Sequence, residues 1–410
     1  MNNISVVLIG LSSYGAGYAR LLIEQGQVHN ARLVGVVDPY AGKNPYWPTV
    51  EEHKVPRYDT LPEFLAGHQA DLAVIASPIH LHCPQTCSAL QAGIPVLCEK
   101  PIAGTIQEVH RMIAAREQAG KFVAIGYNWS FSEEIQALKN NVMAGLFGRP
   151  VRLKTIVLSL RALTYYRRNN WAGKLRSPAG EWILDSPVNN ATAHYLHNMF
   201  YILGSAPDSS AMPTEVTAEL YRANDIENYD TACLRAKTRD GADILFVTSH
   251  AVNQHLPIRC EFIFEQAKVE FHAGSGLRAV FNNGKVKEYV IPGYDQQFNK
   301  LWQCINAVRN GGKPVCGLET AMAQTICMNG AQESMAGITL FPHEMIERQQ
   351  ISFDKTDKTD EHVVVTGLVD VLEKCYESWQ LPSERGISWA KSGRRVDLNA
   401  YEWYPGGKRP

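Results

Sequence analysis

The sequence predicts an α/β Rossmann-like N-terminal domain followed by an α+β domain with a large, mostly antiparallel open sheet. Short apolar runs alternate with helical stretches over the first 126 residues, as in a parallel sheet covered by helices. From residue 149 onward the segments are longer and alternate apolar with polar side chains, which is typical of antiparallel strands. At 410 residues the chain exceeds one ordinary core. We therefore expect domains at 1–126 and 127–385, with a tail at 386–410 packed against the body.

The first strand leads into a glycine-rich turn. ISVVLIG (4–10) is a continuous apolar run, as expected of a strand buried on both faces. It is followed by GLSSYGAGYARLLIEQG, in which Gly10 and Gly15 take the first and third positions of a G-x-G-x-x-G pattern and Ser12 takes the second. The amides and dipole at the start of the following helix favour phosphate groups. This unit predicts a dinucleotide-binding turn.

The second strand, ARLVGVVD (31–38), ends in an acid. In a dinucleotide-binding fold, a carboxylate at the position of Asp38 holds the ribose hydroxyls of the adenosine. A carboxylate would repel a 2′-phosphate, so Asp38 predicts NAD in preference to NADP. The alternative is a nucleotide-free doubly wound domain in which Asp38 acts only as a cap.

The alternation continues along the chain through DLAVIASP (71–78), a helix near 82–92, IPVLCEKP (94–101), a helix near 105–119 and KFVAIGYN (121–128). Ligands of open parallel sheets bind beyond the C-terminal ends of the strands. The candidate cofactor-binding residues lie at or near these ends, and they are Gly10, Ser12, Ser13, Tyr14, Gly15, Asp38, Ser77, Pro78, His82, Glu99, Lys100 and Asn128.

Four motifs in this region resemble those of the family of glucose-fructose oxidoreductase, inositol dehydrogenase and MocA-type proteins. They are IASP-x3-H at 75–82, AGIPVLCEKP at 92–101, GYNWSF at 126–131 and LFGRPV at 146–151. The resemblance implies that Lys100, the lysine of the EKP motif, lies beside the nicotinamide and the substrate, and that Glu99 and Pro101 shape the cofactor pocket. A lysine there would stabilise a developing alkoxide and favour the neutral form of a nearby base.

The second domain is predicted from its alternating segments and three helical stretches. The segments are VRLKTIVLSL, TEVTAELYRA, DTACLRAKTRD, ADILFVTSHAV, RCEFIFEQAKVEFHA and AVFNNGKVKEYVI, and the helices lie near 189–203, 295–310 and 318–337. The resemblance implies that such a domain pairs through its open sheet face into homodimers or homotetramers.

The stretch DSPVNNATAHYLHNMFYILG (185–204) is predicted to be one helix of about four turns. Ser186 suits its N-cap and Gly204 its C-terminal cap. A polar stripe then falls on one helix face and consists of Asn190, His194, His197 and Tyr201. Three interpretations compete, namely a metal site, a pair of core histidines and an acid/base site. The stripe contains no carboxylate as a third ligand, which disfavours a metal.

The family's usual pattern here is L-x-D-x-G-x-H-x-x-D, in which the histidine is a general base and the first aspartate its partner. Aligned backward from ILG, the family histidine falls on His194, with Asn190 four residues before it. Aligned forward from Asp185, it falls on Asn189. We prefer the backward alignment because histidine can act as a base near neutral pH and asparagine cannot. The predicted catalytic residues are Lys100, His194, Asp185 and Asn190.

The loop LTYYRRNNWAGKLRSPAGEW (163–182) is rich in aromatic and hydrogen-bonding side chains. Flat aromatic faces and fixed donors suit the C–H faces and hydroxyls of a sugar or cyclitol. The predicted substrate contacts are Tyr166, Arg168, Asn170, Trp171, Lys174 and His197.

The composition disfavours several classes of partner. Lys plus Arg number 40 against 41 for Asp plus Glu, without a long basic block, so we expect no nucleic-acid partner. No apolar segment approaches the roughly 20 residues of a membrane span, and the N-terminus is expected to be a strand, not a signal peptide. The nine scattered cysteines suit a reducing cytoplasm, and Cys83 with Cys87 lacks the second pair that a zinc site needs. We expect no metal.

Together these features predict an NAD-dependent oxidoreductase that acts on a hydroxyl of a sugar, sugar derivative or cyclitol by hydride transfer. One alternative is a lyase or glycosidase that retains NAD and oxidises its substrate transiently. A second is an NAD-binding sensor without catalytic activity.

Overall fold

The computed structural model describes residues 3–12, 14–272, 276–289, 297–352 and 359–409. The chain forms two compact units. The first comprises Met1–Ala103, Gln107–Ser132 and Pro292–Met322, and the second comprises Gly104–Ile106, Glu133–Ile291 and Ala323–Pro410. The predicted boundary is therefore wrong in one respect. The chain returns to the first unit after completing most of the second, so 292–322 does not belong with the rest of 127–385.

The first unit contains a six-stranded parallel sheet. In chain order its strands are β1 (Ile4–Ile9), β2 (Ala31–Val37), β3 (Arg57–Tyr58), β4 (Leu72–Ile75), β5 (Val96–Cys98) and β6 (Val123–Ile125). They lie side by side in the order β3-β2-β1-β4-β5-β6, and every pair is parallel. The predicted Rossmann-like sheet is confirmed. The strand order reverses between β1 and β4, so the loops after these two strands flank the point where such sheets bind ligands.

The α-helices of the described residues are, in chain order, α1 (Tyr14–Glu24), α2 (Trp47–Glu52), α3 (Leu61–Gly67), α4 (Ile79–Gln91), α5 (Ile106–Ala119), α6 (Glu133–Met143), α7 (Leu163–Arg167), α8 (Ala193–Ile202), α9 (Asn299–Asn310), α10 (Leu318–Ser334) and α11 (Leu368–Ser378). None of these helices is long and apolar enough to cross a membrane. The sequence pattern missed α2, α3, α6, α7 and α11. The first two are shorter than the two turns over which a helical period becomes visible.

The second unit contains a larger mixed sheet and a separate hairpin. In chain order its strands are β7 (Pro150–Leu158), β8 (Pro213–Arg222), β9 (Thr231–Thr238), β10 (Asp243–Ser249), β11 (Arg259–Phe264), β12 (Ala267–His272), β13 (Gly276–Phe281), β14 (Val286–Tyr289), β15 (Thr339–Leu340), β16 (Ile346–Ser352), β17 (Thr359–Val365) and β18 (Val396–Asp397). The sheet order is β14-β13-β12-β11-β7-β10-β9-β8-β15, with β18 also on β8. Only the pairs β7–β10 and β8–β15 are parallel among these strands, which confirms the mostly antiparallel prediction. The hairpin β16–β17 was not predicted.

Helices cover both faces of this sheet at its middle strand. Successive side chains of a strand point to opposite faces. On β7, Lys154 lies 4.4 Å from the ring of Tyr376 on α11, and the next residue, Thr155, donates its hydroxyl to the sulfur of Met199 on α8 at 3.3 Å. Apolar residues of β7 and β10 also share a buried cluster with α11. The predicted open face is therefore not free for subunit pairing at this position.

The predicted four-turn helix is divided into two parts. A π-helical turn at Pro187–Ala191 precedes α8, and Thr192 joins them. Ser186 is the N-cap, as predicted, and its hydroxyl accepts the Asn189 N–H at 3.2 Å. Gly204 does not adopt the left-handed conformation predicted for a cap. A side chain there is excluded for another reason, because its Cβ would lie 2.0 Å from the carbonyl oxygen of Ser209.

Candidate functional site

The turn after β1 is closely packed at two glycines. Gly10 has a φ of +90°, and a Cβ there would lie 2.8 Å from the carbonyl oxygen of Ala76. A Cβ at Gly15 would lie 2.0 Å from the carbonyl oxygen of Gly10. Helix α1 follows without an acidic residue in its first turn, so its N-terminal amides suit a phosphate. Ser12 is exposed beside this turn, and Ser13 lies outside the described residues.

Asp38 connects the end of β2 to the glycine turn. Its Oδ2 accepts the Leu11 N–H at 2.8 Å and its Oδ1 accepts the Tyr40 N–H at 2.8 Å. The residue is 8% exposed. Each carboxylate oxygen has a second lone pair, so both can still accept a ribose hydroxyl. The close glycine backbone, the absence of an acid from the described first turn of α1 and this carboxylate fit an adenine dinucleotide.

Glu99 and Lys300 form a buried ion pair in the first unit. Lys300 lies on α9 with Nζ 2.5 Å from Glu99 Oε1, and its side chain is 0% exposed. Tyr18 donates its hydroxyl to the same oxygen at 2.6 Å, and Lys100 donates its backbone N–H to Oε2 at 3.1 Å. Burial lowers the pKa of Lys300, although the Glu99 carboxylate opposes this effect. Burial and the nearby Glu99 raise the pKa of Tyr18 well above its ordinary value. Glu99 thus fixes the backbone that carries Lys100.

Lys300 also organises the end of β6. Its Nζ donates to Asn128 Oδ1 at 2.6 Å and to the carbonyl oxygen of Gly126 at 3.1 Å. Asn128 Nδ2 donates to the hydroxyl of Tyr14 at 3.2 Å, and that hydroxyl donates to Gln297 Oε1 at 3.1 Å. The Nζ also lies 4.5 Å from the centroid of the Tyr14 ring. A single lysine therefore joins the ends of β5 and β6 to the start of α1.

His82 holds the loops after β4 and β5 together. Its Nδ1 lies 2.7 Å from the carbonyl oxygen of Pro101, and its Nε2 lies 2.9 Å from that of Ser77. The residue is 1% exposed, and burial lowers its pKa. Nearby, Pro78 is the N-cap of α4, and Ser77 donates its hydroxyl to Gln85 at 2.5 Å. The prediction that His82 contacts the cofactor is wrong, because its ring is enclosed and faces main-chain carbonyls.

In the second unit, Asp185 is hydrogen-bonded to Asn190. Asp185 Oδ1 accepts Asn190 Nδ2 at 2.7 Å, and Oδ2 accepts the Gly173 N–H at 2.6 Å. Asp185 is buried, whereas Asn190 and His194 are half-buried. The two candidate partners of His194 thus form one pair. This pair fixes the orientation of the Asn190 amide and connects it to the loop at 163–182.

The structure argues against the forward alignment that puts the base at Asn189. This residue is buried, and its Nδ2 donates to the carbonyl oxygens of Ile183 and Leu184 at 3.3 and 3.2 Å. Its side chain supports the start of the helix and offers no surface to a ligand.

His197 is a core residue. It is 0% exposed, and its ring stacks on Tyr201 with centroids 5.8 Å apart. Lys139 lies over the same tyrosine at 3.7 Å. Burial, and secondarily the charge of Lys139, lower the pKa of His197 to about 3. The prediction that His197 contacts the substrate is wrong because no part of its ring reaches the surface. Among the described residues, no group of three or more His, Cys, Asp or Glu side chains could hold a metal ion.

Several of the substrate contacts predicted in the loop at 163–182 already interact with other residues of the second unit. Tyr166 is half-buried, and its hydroxyl lies 3.1 Å from Nδ1 of His250. Arg168 lies over the ring of Tyr165 at 3.6 Å. Lys174 Nζ lies 3.0 Å from Glu227, so its charge is already paired within the unit. The other predicted contacts differ in exposure, with an exposed Asn170 and a half-buried Trp171.

The role of Lys300 was not predicted from the sequence. Its signal is a lysine on the apolar face of a predicted helix, where Leu301, Cys304 and Ile305 are also buried. A charged side chain on such a face needs a buried partner. Nothing in the local sequence indicates that this partner is Glu99, two hundred residues earlier.

Comparison with known families identifies the first unit. The family model for Gfo/Idh/MocA matches residues 4–127. It describes an oxidoreductase family with an NAD-binding Rossmann fold. Residues 4–127 belong to the Gfo/Idh/MocA oxidoreductase family. The predicted resemblance and the predicted cofactor, NAD, are confirmed. The residues of this Gfo/Idh/MocA domain that would hold NAD are the glycine turn, Asp38 and the strand ends at Glu99, Lys100 and Asn128.

Curated relatives match about half of the chain. Inositol 2-dehydrogenase 1 of Saccharopolyspora erythraea is 28% identical over 195 residues, which cover 47% of this chain and 57% of the relative. The rhizopine catabolism protein MocA of Rhizobium meliloti is 24% identical over 217 residues, 53% of this chain and 62% of the relative. The match thus spans less than two thirds of each of these Gfo/Idh/MocA proteins.

A solved structure shares the fold over most of the chain. The WlbA dehydrogenase of Chromobacterium violaceum, determined with NADH and UDP-GlcNAcA, has a TM-score of 0.66 and 21% identity, covering 81% of this chain and 94% of that one. The fold likeness therefore extends beyond the Gfo/Idh/MocA match into the second unit.

Replacing Lys300 by Met should destabilise the first unit and weaken NADH binding. The change leaves the Glu99 carboxylate buried without its cation, a loss of about 3–5 kcal/mol for comparable buried pairs. The double variant Glu99→Gln/Lys300→Met removes both charges and should recover much of that loss. Urea unfolding and NADH fluorescence titration measure both effects.

The control for this pair is Lys121→Met, which removes an exposed lysine of the same unit and should change neither measurement. Equal instability of the single and double variants would show that packing, and not the unpaired carboxylate, causes the loss.

Replacing His197 by Gln should reduce the sensitivity of the protein to acid. In the unfolded chain the His197 ring takes up a proton with an ordinary pKa near 6.5. In the folded chain the same ring stays neutral down to about pH 3. Stability is therefore lost as the pH falls below about 6.5, by about 2 kcal/mol down to about pH 5. Urea unfolding at pH 7.5 and pH 5 should show this loss for wild type, and a smaller one for His197→Gln.

The matched control is His343→Gln, an exposed histidine of the same unit, which should keep the wild-type pH dependence. If His197→Gln loses as much stability at pH 5 as the wild type does, His197 is not the group that resists protonation.

Proposed function

We propose that this protein is an NAD-dependent oxidoreductase that acts on a hydroxyl of a sugar, sugar derivative or cyclitol. The observation that carries the proposal is the placement of Lys100. It lies two residues beyond the end of β5 in an NAD-binding domain, and its backbone is anchored to the buried carboxylate of Glu99. The names of the relatives, which include an inositol 2-dehydrogenase, support this class of substrate.

In the proposed reaction, His194 removes the proton of the substrate hydroxyl. His194 is half-buried, whereas His197 is fully buried. Asn190 acts as a positioning residue, because its Nδ2 is held by Asp185 and its amide oxygen is therefore directed away from that carboxylate. Asp185 acts through Asn190 and does not itself contact the reacting atoms.

Lys100 stabilises the negative charge that develops on the oxygen as the proton leaves. A positive charge fixed in advance lowers the energy of the transition state more than that of the neutral alcohol. NAD, when bound, supplies the acceptor for the hydride that leaves the carbon bearing this hydroxyl. The electron pair of the C–H bond and the hydroxyl proton thus depart separately, and the alcohol becomes a carbonyl.

We also propose that the protein is a cytoplasmic homodimer or homotetramer that pairs through the sheet of the second unit. All nine cysteines are free thiols, which suits a reducing compartment. On β12, Lys268 and Glu270 are 2.7 Å apart and partly exposed, and such a mixed-charge surface can be self-complementary about a two-fold axis. Light scattering of the purified protein measures the subunit number, and a monomer at micromolar concentration would contradict this proposal.

The residue roles can be tested with Lys100→Met and His194→Gln. Each variant should lower kcat by roughly 100- to 10,000-fold, as expected for loss of charge stabilisation or of a general base. NADH binding should remain measurable in His194→Gln. The assay is NADH formation with a panel of inositols, sugars and sugar derivatives.

The controls are Lys121→Met and His343→Gln, which remove an exposed lysine and an exposed histidine. Near wild-type turnover of both Lys100→Met and His194→Gln on a verified substrate would refute the assigned roles.

A further inference from the structure

Two arginines meet at one aromatic ring in the second unit. Arg161 lies between β7 and α7, and Arg168 directly follows α7. Their guanidinium carbons lie 5.1 and 3.6 Å from the centroid of the Tyr165 ring. Two positive charges are thus held beside one half-buried tyrosine.

Neither guanidinium group has an acidic partner within the part of the chain that the structure describes. Arg161 Nη1 donates to the Ser159 hydroxyl at 2.9 Å and to the Leu160 carbonyl oxygen at 3.1 Å, and Arg168 donates to the carbonyl oxygen of Tyr165. The Nε of Arg161 is buried without an acceptor among these residues. Since a guanidinium has five N–H donors, most donors of both groups have no acceptor within the described residues.

The neighbouring charges do not neutralise this pair. His250 beside Tyr166 is buried, and burial together with Arg161 and Arg168 lowers its pKa well below the ordinary value. The acids acting on the two tyrosines are Asp185, whose carboxylate accepts two hydrogen bonds, and Asp230, which acts on Tyr166 and accepts hydrogen bonds from Asn224. Within the described ranges neither acid forms an ion pair with Arg161 or Arg168, so neither guanidinium charge is paired with a carboxylate.

This region is continuous with the proposed substrate loop. Arg168 lies over Tyr165 and also 5.4 Å from the ring of Trp171. Two residues beyond Trp171, Gly173 donates its N–H to Asp185, which holds Asn190. The arginine pair and the acid/base residues are thus connected within one unit by the loop at 163–182.

We infer that Arg161 and Arg168 bind an anionic substituent of the substrate, so that the protein acts on a sugar carrying a carboxylate or a phosphate. The inference rests on the proposed function, because it narrows the substrate class of the same site. Guanidinium groups match both anions through paired N–H donors, and the ring of Tyr165 holds the donors in place.

The test is calorimetric binding to the full-length protein in the presence of NADH. The ligands are D-glucuronate for a carboxylate, glucose 1-phosphate for a phosphate and D-glucose as their neutral counterpart. At least one anion should bind about tenfold or more tightly than D-glucose, and Arg161→Gln and Arg168→Gln should each weaken it by roughly 10- to 100-fold. Binding of D-glucose should not change. The ligand whose affinity the two arginine variants reduce shows whether the anionic group of the substrate is a carboxylate or a phosphate.

The matched control is Arg167→Gln. Arg167 lies between Arg161 and Arg168 in the sequence, but its charge lowers the pKa of Asp360. Its removal should therefore leave anion binding near wild type. Retained NADH binding shows that the first unit of each variant is folded, and a wild-type urea unfolding midpoint shows the same for the second unit. The inference is overturned if neither anion is preferred, if the Arg161 and Arg168 variants bind as wild type does, or if Arg167→Gln loses as much.

Turnover separates this inference from the proposed function. Oxidation of neutral sugars without any anion preference would leave the proposed function intact and refute the inference. Anion binding that depends on both arginines, without NADH formation from any sugar or sugar acid, would support anion binding by the arginine pair and refute the proposed function.

Discussion

Burial of the Lys300 ammonium is the constraint on which the first unit depends. A fully buried cation is stable only when its charge and its three N–H donors are matched. Here Glu99 supplies the charge, and Asn128 with the backbone of Gly126 supplies the remaining acceptors. These partners lie at the ends of β5 and β6, so the contacts of one lysine also align the sheet edge that carries Lys100 and Asn128, two of the residues that would hold NAD. The geometry of Lys100 follows, since its N–H is bound to the same carboxylate.

Much of the fold could be predicted because it follows from local periodicity. Continuous apolar runs marked the parallel strands, and the alternating segments marked the antiparallel ones. The return of 292–322 to the first unit could not be predicted in this way. A helix shows which of its faces is apolar, but its pattern does not identify the sheet on which that face packs. The π-helical turn at Pro187–Ala191 also has no local signature, and it divides the single helix predicted there.

The candidate site was predictable to the extent that its residues follow strands or occur in motifs. Gly10, Gly15 and Asp38 were found from their positions alone, and the structure explains the packing that each requires. Burial was the property that the sequence could not reveal. His82 was predicted from its motif at 75–82 and His197 from the polar stripe, yet both residues are buried. The sequence likewise did not show that Asp185 and Asn190, the two candidate partners of His194, are hydrogen-bonded to each other.

The discontinuous first unit has a consequence for synthesis on the ribosome. Domains generally fold as units while the chain emerges from its N-terminus. The sheet of the first unit is complete at Ile125, but the cation for Glu99 is made only at Lys300. Until then a carboxylate among apolar strands lacks its counter-ion, and Gly17 lacks the ring of Phe298 that packs against it. The unit whose synthesis begins first is therefore completed only after most strands of the second sheet have been made.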